Sequence, residues 1–136
     1  MDPVSVISLL GALCNLIEAG NRLYKIAKTL KDGNSDLSVL CSDVAFFEEA
    51  LKGFDRILRS RQARHNISAD VISQALEESS STIEQLETLL SSIAAAESPT
   101  VRSVKWLQNK TSIKKLHERI KTQSGVLQSF LALAHT

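Results

Sequence analysis

The chain has 136 residues, 43% of them hydrophobic and 23% charged, with a net charge of +1. That length suits one domain with its own core, and the charge balance is not the concentrated basic field of a nucleic-acid-binding protein. Five Gly and two Pro leave little punctuation for a many-stranded fold, and with aromatics at 4% the core must come from Leu, Ile, Val and Ala, of which Leu and Ala favour helix.

Asp2-Pro3 marks a helix start, because Asp caps free backbone N–H groups and Pro suits the first helical position, where its missing N–H has no partner. Apolar residues follow at Val4, Val6, Ile7, Leu9, Leu10, Leu13, Leu16, Ile17, Leu23, Ile26 and Leu30. Asp32-Gly33-Asn34 supplies a left-handed stop, so the first helix is expected over 3–31. A second, over 35–60 and capped by Ser35 or Asp36, carries Leu37, Leu40, Val44, Phe47, Leu51, Phe54 and Leu58. Those alternating steps of three and four form the seam of a helix packed lengthwise against others. A third, over 69–96 with Ser68 as cap, carries Ile72, Ala75 or Leu76, Ser79, Ile83, Leu86, Leu90 and Ile93, and Ser98-Pro99 follows it.

The last segment, over 100–134, holds two apolar stretches. The first is Val101, Val104, Trp106 and Leu107; the second is Ile113, Leu116, Ile120, Leu127, Phe130 and Leu131. The polar run Asn109-Lys110-Thr111-Ser112 between them predicts a break or kink, with Thr111 or Ser112 capping a new helix. No strand alternation and no Gly-containing hairpin signal occurs. The sequence thus predicts an all-α, up-down bundle of four or five helices. It forms one domain over 1–136, read as the N-terminal part of a longer protein. The expected core includes Leu40, Val44, Phe47, Leu51, Phe54, Leu76, Ile83, Leu86, Leu116, Ile120 and Leu127.

The chemistry of an enzyme is missing from the sequence. There is no Gly-rich phosphate loop, no Gly-x-Ser-x-Gly turn and no pair of metal ligands at helical spacing. His65, His117 and His135 are scattered among polar residues or at the terminus and are expected to be solvated. Cys14 and Cys41 lie on apolar faces and are expected as reduced core thiols. The opening lacks the basic region of a signal peptide, which predicts an intracellular protein. No catalytic residue, metal or cofactor is assigned.

Two features stand above this background. From Pro3 to Ile17 there is no charged residue, and the polar positions Ser5, Ser8, Asn15 and Glu18 fall on one stripe, with Gly11 and Ala12 between them. Such a helix is either a central bundle helix, buried on most sides, or one able to enter another apolar medium. In the second case Val4, Val6, Ile7, Leu9, Leu10, Leu13, Leu16 and Ile17 would insert, and several copies would pool their polar stripes. The second feature is charge segregation. His65 to Val101 contains six acids and no Lys or Arg, whereas Arg102 to Lys121 contains seven bases and only Glu118 in opposition. A further basic cluster is Arg56, Arg59, Arg61 and Arg64. Either the acidic third helix lies beside the basic fourth, or Arg56, Arg59, Arg61, Arg64, Arg102, Lys105, Lys110, Lys114, Lys115 and Lys121 face anionic lipid.

The opening Met1-Asp2-Pro3-Val4-Ser5-Val6-Ile7 and the later Gly11-Ala12-Leu13 resemble the start of HeLo-like domains, the N-terminal domains of fungal STAND (NLR-type) proteins. Lys105-Trp106-Leu107, then Lys110, Ile113, Leu116, Ile120 and Leu127 resemble the family's closing basic helix. The resemblance implies a bundle that executes or relays immune-type cell death. It implies self-association, an NLR-type receptor domain in cis or trans, and anionic membrane lipids as partners; no nucleic acid is expected, given one Trp and a net charge of +1. It also implies a cytoplasmic protein that moves to the plasma membrane on activation, or else an adaptor without membrane activity.

Overall fold

The computed structural model describes residues 3–60 and 68–134. Four helices account for nearly all of them: α1 Pro3–Leu30, α2 Ser35–Arg59, α3 Ala69–Ala94 and α4 Pro99–Ala134. There is no strand among the described residues. The all-α, up-down bundle expected from periodicity is present, with four helices.

The helix ends follow from their capping chemistry. Pro3 opens α1, while Asp2 lies outside the described residues. Gly33 ends that segment at φ 74°, a conformation that costs glycine little. Asn34, rather than Ser35 or Asp36, caps α2: its Oδ1 accepts from the Leu37 N–H at 3.1 Å. Ser68 occupies the N-cap position of α3 with no side-chain cap bond, its carbonyl accepting instead from the Ile72 N–H at 3.1 Å. Ser98 caps α4 by accepting from the Val101 N–H at 3.2 Å, and Pro99 fills the first turn, where a missing N–H does no harm.

The expected break at 109–112 is absent, and α4 runs unbroken through it. The first apolar stretch is not a core-facing stripe: Val101, Val104 and Leu107 are 45%, 47% and 68% exposed. The stripe that meets the core passes instead through half-buried Trp106 and Asn109 into buried Ile113, Leu116, Ile120, Ser124 and Leu127. Its steps of three and four never lapse, so packing carries the helix across the polar run. Asn109 sits inside the helix, donating from Nδ2 to the Lys105 carbonyl at 2.8 Å.

Each helix packs against two others: α1 against α2 and α3, and α4 against α3 and α2. Among the described residues the backbones of α1 and α4 do not approach each other closely, nor do those of α2 and α3, so these pairs are the diagonals of the bundle. Arg22 meets Glu87 and His117 meets Asp43 across two of these edges. All eleven expected core residues are buried, joined by Leu13, Leu23, Leu37, Leu58, Ile72, Leu90 and Ile93. At ~1.5–3 kcal/mol for each large apolar side chain removed from water, this single core is the main stabilising term.

Candidate functional site

α1 occupies a corner of the bundle and is not enclosed by it. Val6, Leu9, Leu13 and Leu16 are buried and Leu10 and Ile17 are half-buried, but Val4 and Ile7 are 76% and 71% exposed. The central, mostly buried helix is therefore not what forms. Of the expected polar stripe, Ser8, Asn15 and Glu18 face solvent, whereas Ser5 is half-buried. Ser8, Asn15 and Glu18 line a groove of about 520 Å³ between α1 and α3, opposite Ser73, Glu77, Ser80 and Glu84 of α3. The stripe is one wall of a cleft, and the exposed apolar residues stand outside it.

Val4–Leu30 is also long and apolar enough to cross a membrane by length and composition, and only about one third of its most apolar stretch is buried. The charge-free run alone is shorter than a bilayer span; the helix that contains it is not.

The cysteines divide. Cys41 is buried as expected, but Cys14 is exposed on α1. Position 14 falls on the same outer side as Ile7, two helical turns earlier.

The basic candidates do not converge. Arg56 and Arg59 are exposed in the last turns of α2, at the end of the bundle where α1 begins, and Arg59 donates to Asp55 at 3.0 Å. Arg61 and Arg64 lie outside the described residues. Arg102 sits beside the α1–α2 turn, with Asn34 and Ser35. Lys105 donates to the Ser92 carbonyl at 3.2 Å. Lys115 and Arg119 border a cleft against α3, with Glu84 and Gln85. Lys110, Lys114 and Lys121 form a separate row, at seven and three residues before His117 and four after it, on the side of α4 that faces α2. α3 does lie beside α4, yet no acid–base pair joins them among the described residues; Glu87 of α3 reaches Arg22 of α1 instead, at 3.1 Å.

Three polar arrangements lay beyond sequence reasoning. His117, expected to be solvated, keeps only 13% of its side chain exposed and contacts Asp43 at 2.5 Å; His65 and His135 lie outside the described residues. Glu48 of α2 lies over Gly20 of α1, where an added Cβ would come within 3.2 Å of the Glu48 Cγ. One carboxylate oxygen of Glu48 is buried without a hydrogen-bond partner, and desolvation pushes its pKa above the ordinary carboxylate range, partly offset by Lys52. Between α3 and α4, Thr82 donates to the Glu78 carbonyl at 3.1 Å and so accepts from Gln123 Nε2 at 3.0 Å. Only Ser79, an isolated hydroxyl in the α3 stripe, signalled this polar seam in the sequence.

Among the described residues no three His, Cys, Asp or Glu side chains are grouped to hold a metal ion. Comparison with protein-family models, with curated proteins and with solved structures finds no match.

Proposed function

We propose that this bundle is a membrane-targeting signalling domain of the cell-death or immune type, which oligomerises and uses α1 to perturb membranes. The observation that carries the reading is the N-terminal part of α1: charge-free from Pro3 to Ile17, with Val4 and Ile7 on its solvent side. Two large apolar side chains within one turn of each other, at the tip of a helix long enough to span a bilayer, form a first contact for lipid. Arg56 at the same end supplies positive charge for anionic headgroups, with Arg59 beside it paired to Asp55. The buried row Val6, Leu9, Leu13 and Leu16 holds α1 in the bundle. Insertion then requires that row to leave the core, at ~1.5–3 kcal/mol per side chain, which gives a trigger something to overcome. The resemblance to HeLo-like domains supplies the cell-death context, the NLR-type partner and the move from cytoplasm to plasma membrane.

The second reading is a helical interaction module of an NLR-like receptor without membrane activity. It is favoured by the exposed row Val101, Val104 and Leu107 on α4, apolar surface that a partner helix would cover.

Dye leakage from liposomes separates the two. The membrane reading expects leakage from anionic vesicles, less from neutral ones, and weaker attachment as salt rises. A folded chain that binds neither kind of vesicle while still binding a partner or itself would leave only the interaction module.

A further inference from the structure

The ring of helix contacts sets the α1·α3 edge on the opposite side of the bundle from α2·α4, and the charges follow that division. On α3, Asp70, Glu77 and Glu84 are exposed and recur every seven residues. Seven residues make two turns, so these carboxylates stand in a line at intervals of about 10.5 Å. Glu77 and Glu84 line the α1–α3 groove together with Glu18, and the small side chains of Ala12, Ser73 and Ser80 leave it open. Its one base, Arg22, is taken by Glu87 at 3.1 Å. None of Glu18, Glu77 and Glu84 has an ion-pair partner among the described residues.

The basic row lies on the far side. Lys114 and Lys121 of α4 are exposed and also seven residues apart, with Lys110 one turn before Lys114. Lys121 contacts Glu118 of its own helix at 3.4 Å, an exposed pair; Lys110 and Lys114 have no acidic partner among the described residues. Acid and base thus share a period of about 10.5 Å, but the bundle holds them apart on opposite edges.

We propose that the α1–α3 groove of one molecule receives the Lys110–Lys114–Lys121 row of a second copy, Lys114 and Lys121 falling in step with Glu77 and Glu84. This rests on, and gives a surface to, the self-association in the function proposed above. Equal spacing lets both pairs close at once, as flanking charges do between partnered helices. The two patches differ, so the contact is head-to-tail. Each added copy leaves one groove and one row free, and the assembly grows into a ring or a chain. Solvent-exposed pairs are weak singly and screened by salt, so assembly depends on concentration and ionic strength.

Sedimentation velocity of the full chain in lipid-free buffer tests this. Species larger than the monomer are expected at about 20 mM salt and should dissociate at about 500 mM, where the screening length is a few ångström. Glu77→Lys/Glu84→Lys and Lys114→Glu/Lys121→Glu change only exposed side chains, and circular dichroism checks that each variant folds. Each alone should stay monomeric, because groove and row then carry like charge. Mixed one to one, the reversed groove of the first meets the reversed row of the second, and wild-type-sized species should return. A wild type that is monomeric at every concentration at low salt overturns the proposal, as does assembly that survives either reversal, or a mixture that stays monomeric. Leakage is read separately: a chain that assembles this way yet leaves anionic vesicles intact sinks the membrane reading and keeps this interface.

Discussion

His117 of α4 meets Asp43 of α2 at 2.5 Å, with only 13% and 31% of the two side chains exposed. The contact fastens the two helices within the basic row, between Lys114 and Lys121. His117 Nε2 and Asp43 Oδ2 thereby tie α4 to α2. His117→Ala removes it and leaves Asp43 partly desolvated without its partner. A loss of about 1–2 kcal/mol is expected, a few degrees in melting temperature for a domain of this size. A double-mutant cycle with Asp43→Ala should give a coupling of at least about 0.5 kcal/mol. Additive single effects would mean that the contact holds nothing together.

Glu48 contributes a pH dependence whose sign follows from its burial. Burial raises its pKa in the fold. The native state therefore binds more protons than the unfolded state between the ordinary carboxylate range and the raised value. Stability falls as pH rises through that window and stays lower above it. Glu48→Gln, which needs no ionisation, should raise the melting temperature at neutral pH. The gain should be less than about 1 kcal/mol, because the carboxyl is only partly buried, and it should fade on acidification. A gain of the same size at pH 4 and pH 7 would remove burial of charge as the cause.

The continuity of α4 is testable by proline. Ser112→Pro deletes a helical hydrogen bond and places the ring against the preceding turn, at ~3 kcal/mol or more in a helix interior. Ser112 is exposed, so no core contact is lost with it. Chemical denaturation should show that full loss. A helix that broke at 109–112 would accept proline there almost without change.

At α1 the structure selects which substitution is informative. Leu9→Glu and Leu13→Glu place a charge in the core, since both residues are buried, and would unfold the bundle whatever the membrane does. Ile7 is 71% exposed, so Ile7→Glu should alter stability by no more than about 0.5 kcal/mol. The membrane reading expects it to abolish leakage from anionic vesicles. Glu18→Ala, on the groove side, should likewise leave stability nearly unchanged. Wild-type leakage from Ile7→Glu would take the tip of α1 out of the mechanism.

The helical class, the outer ends of the four helical segments to within two residues and the buried face of α2 and α3 were legible in the sequence; that α4 runs unbroken through 109–112 was not. The legible features depend on neighbours within a turn or two: Gly33 as a stop, steps of three and four along Leu37–Leu58, the stripe through Ile83 and Leu86. Local periodicity says which side of a helix is apolar. It does not say what lies against the other sides. Placing α1 beside α3 rather than α4 is a long-range choice, and it decided the rest. It turned Ser8, Asn15 and Glu18 into the wall of an acidic groove, and it left Val4, Ile7 and Cys14 in solvent. The choice of α2 as α4's other neighbour buried His117 against Asp43 and divided one basic stretch of sequence among several surfaces. Lys114 and Lys115 are adjacent in the chain yet point to different flanks of α4, because one residue turns a helix by about 100°. A run of charge in sequence becomes a charged surface only where the packing of neighbouring helices leaves one face of it open.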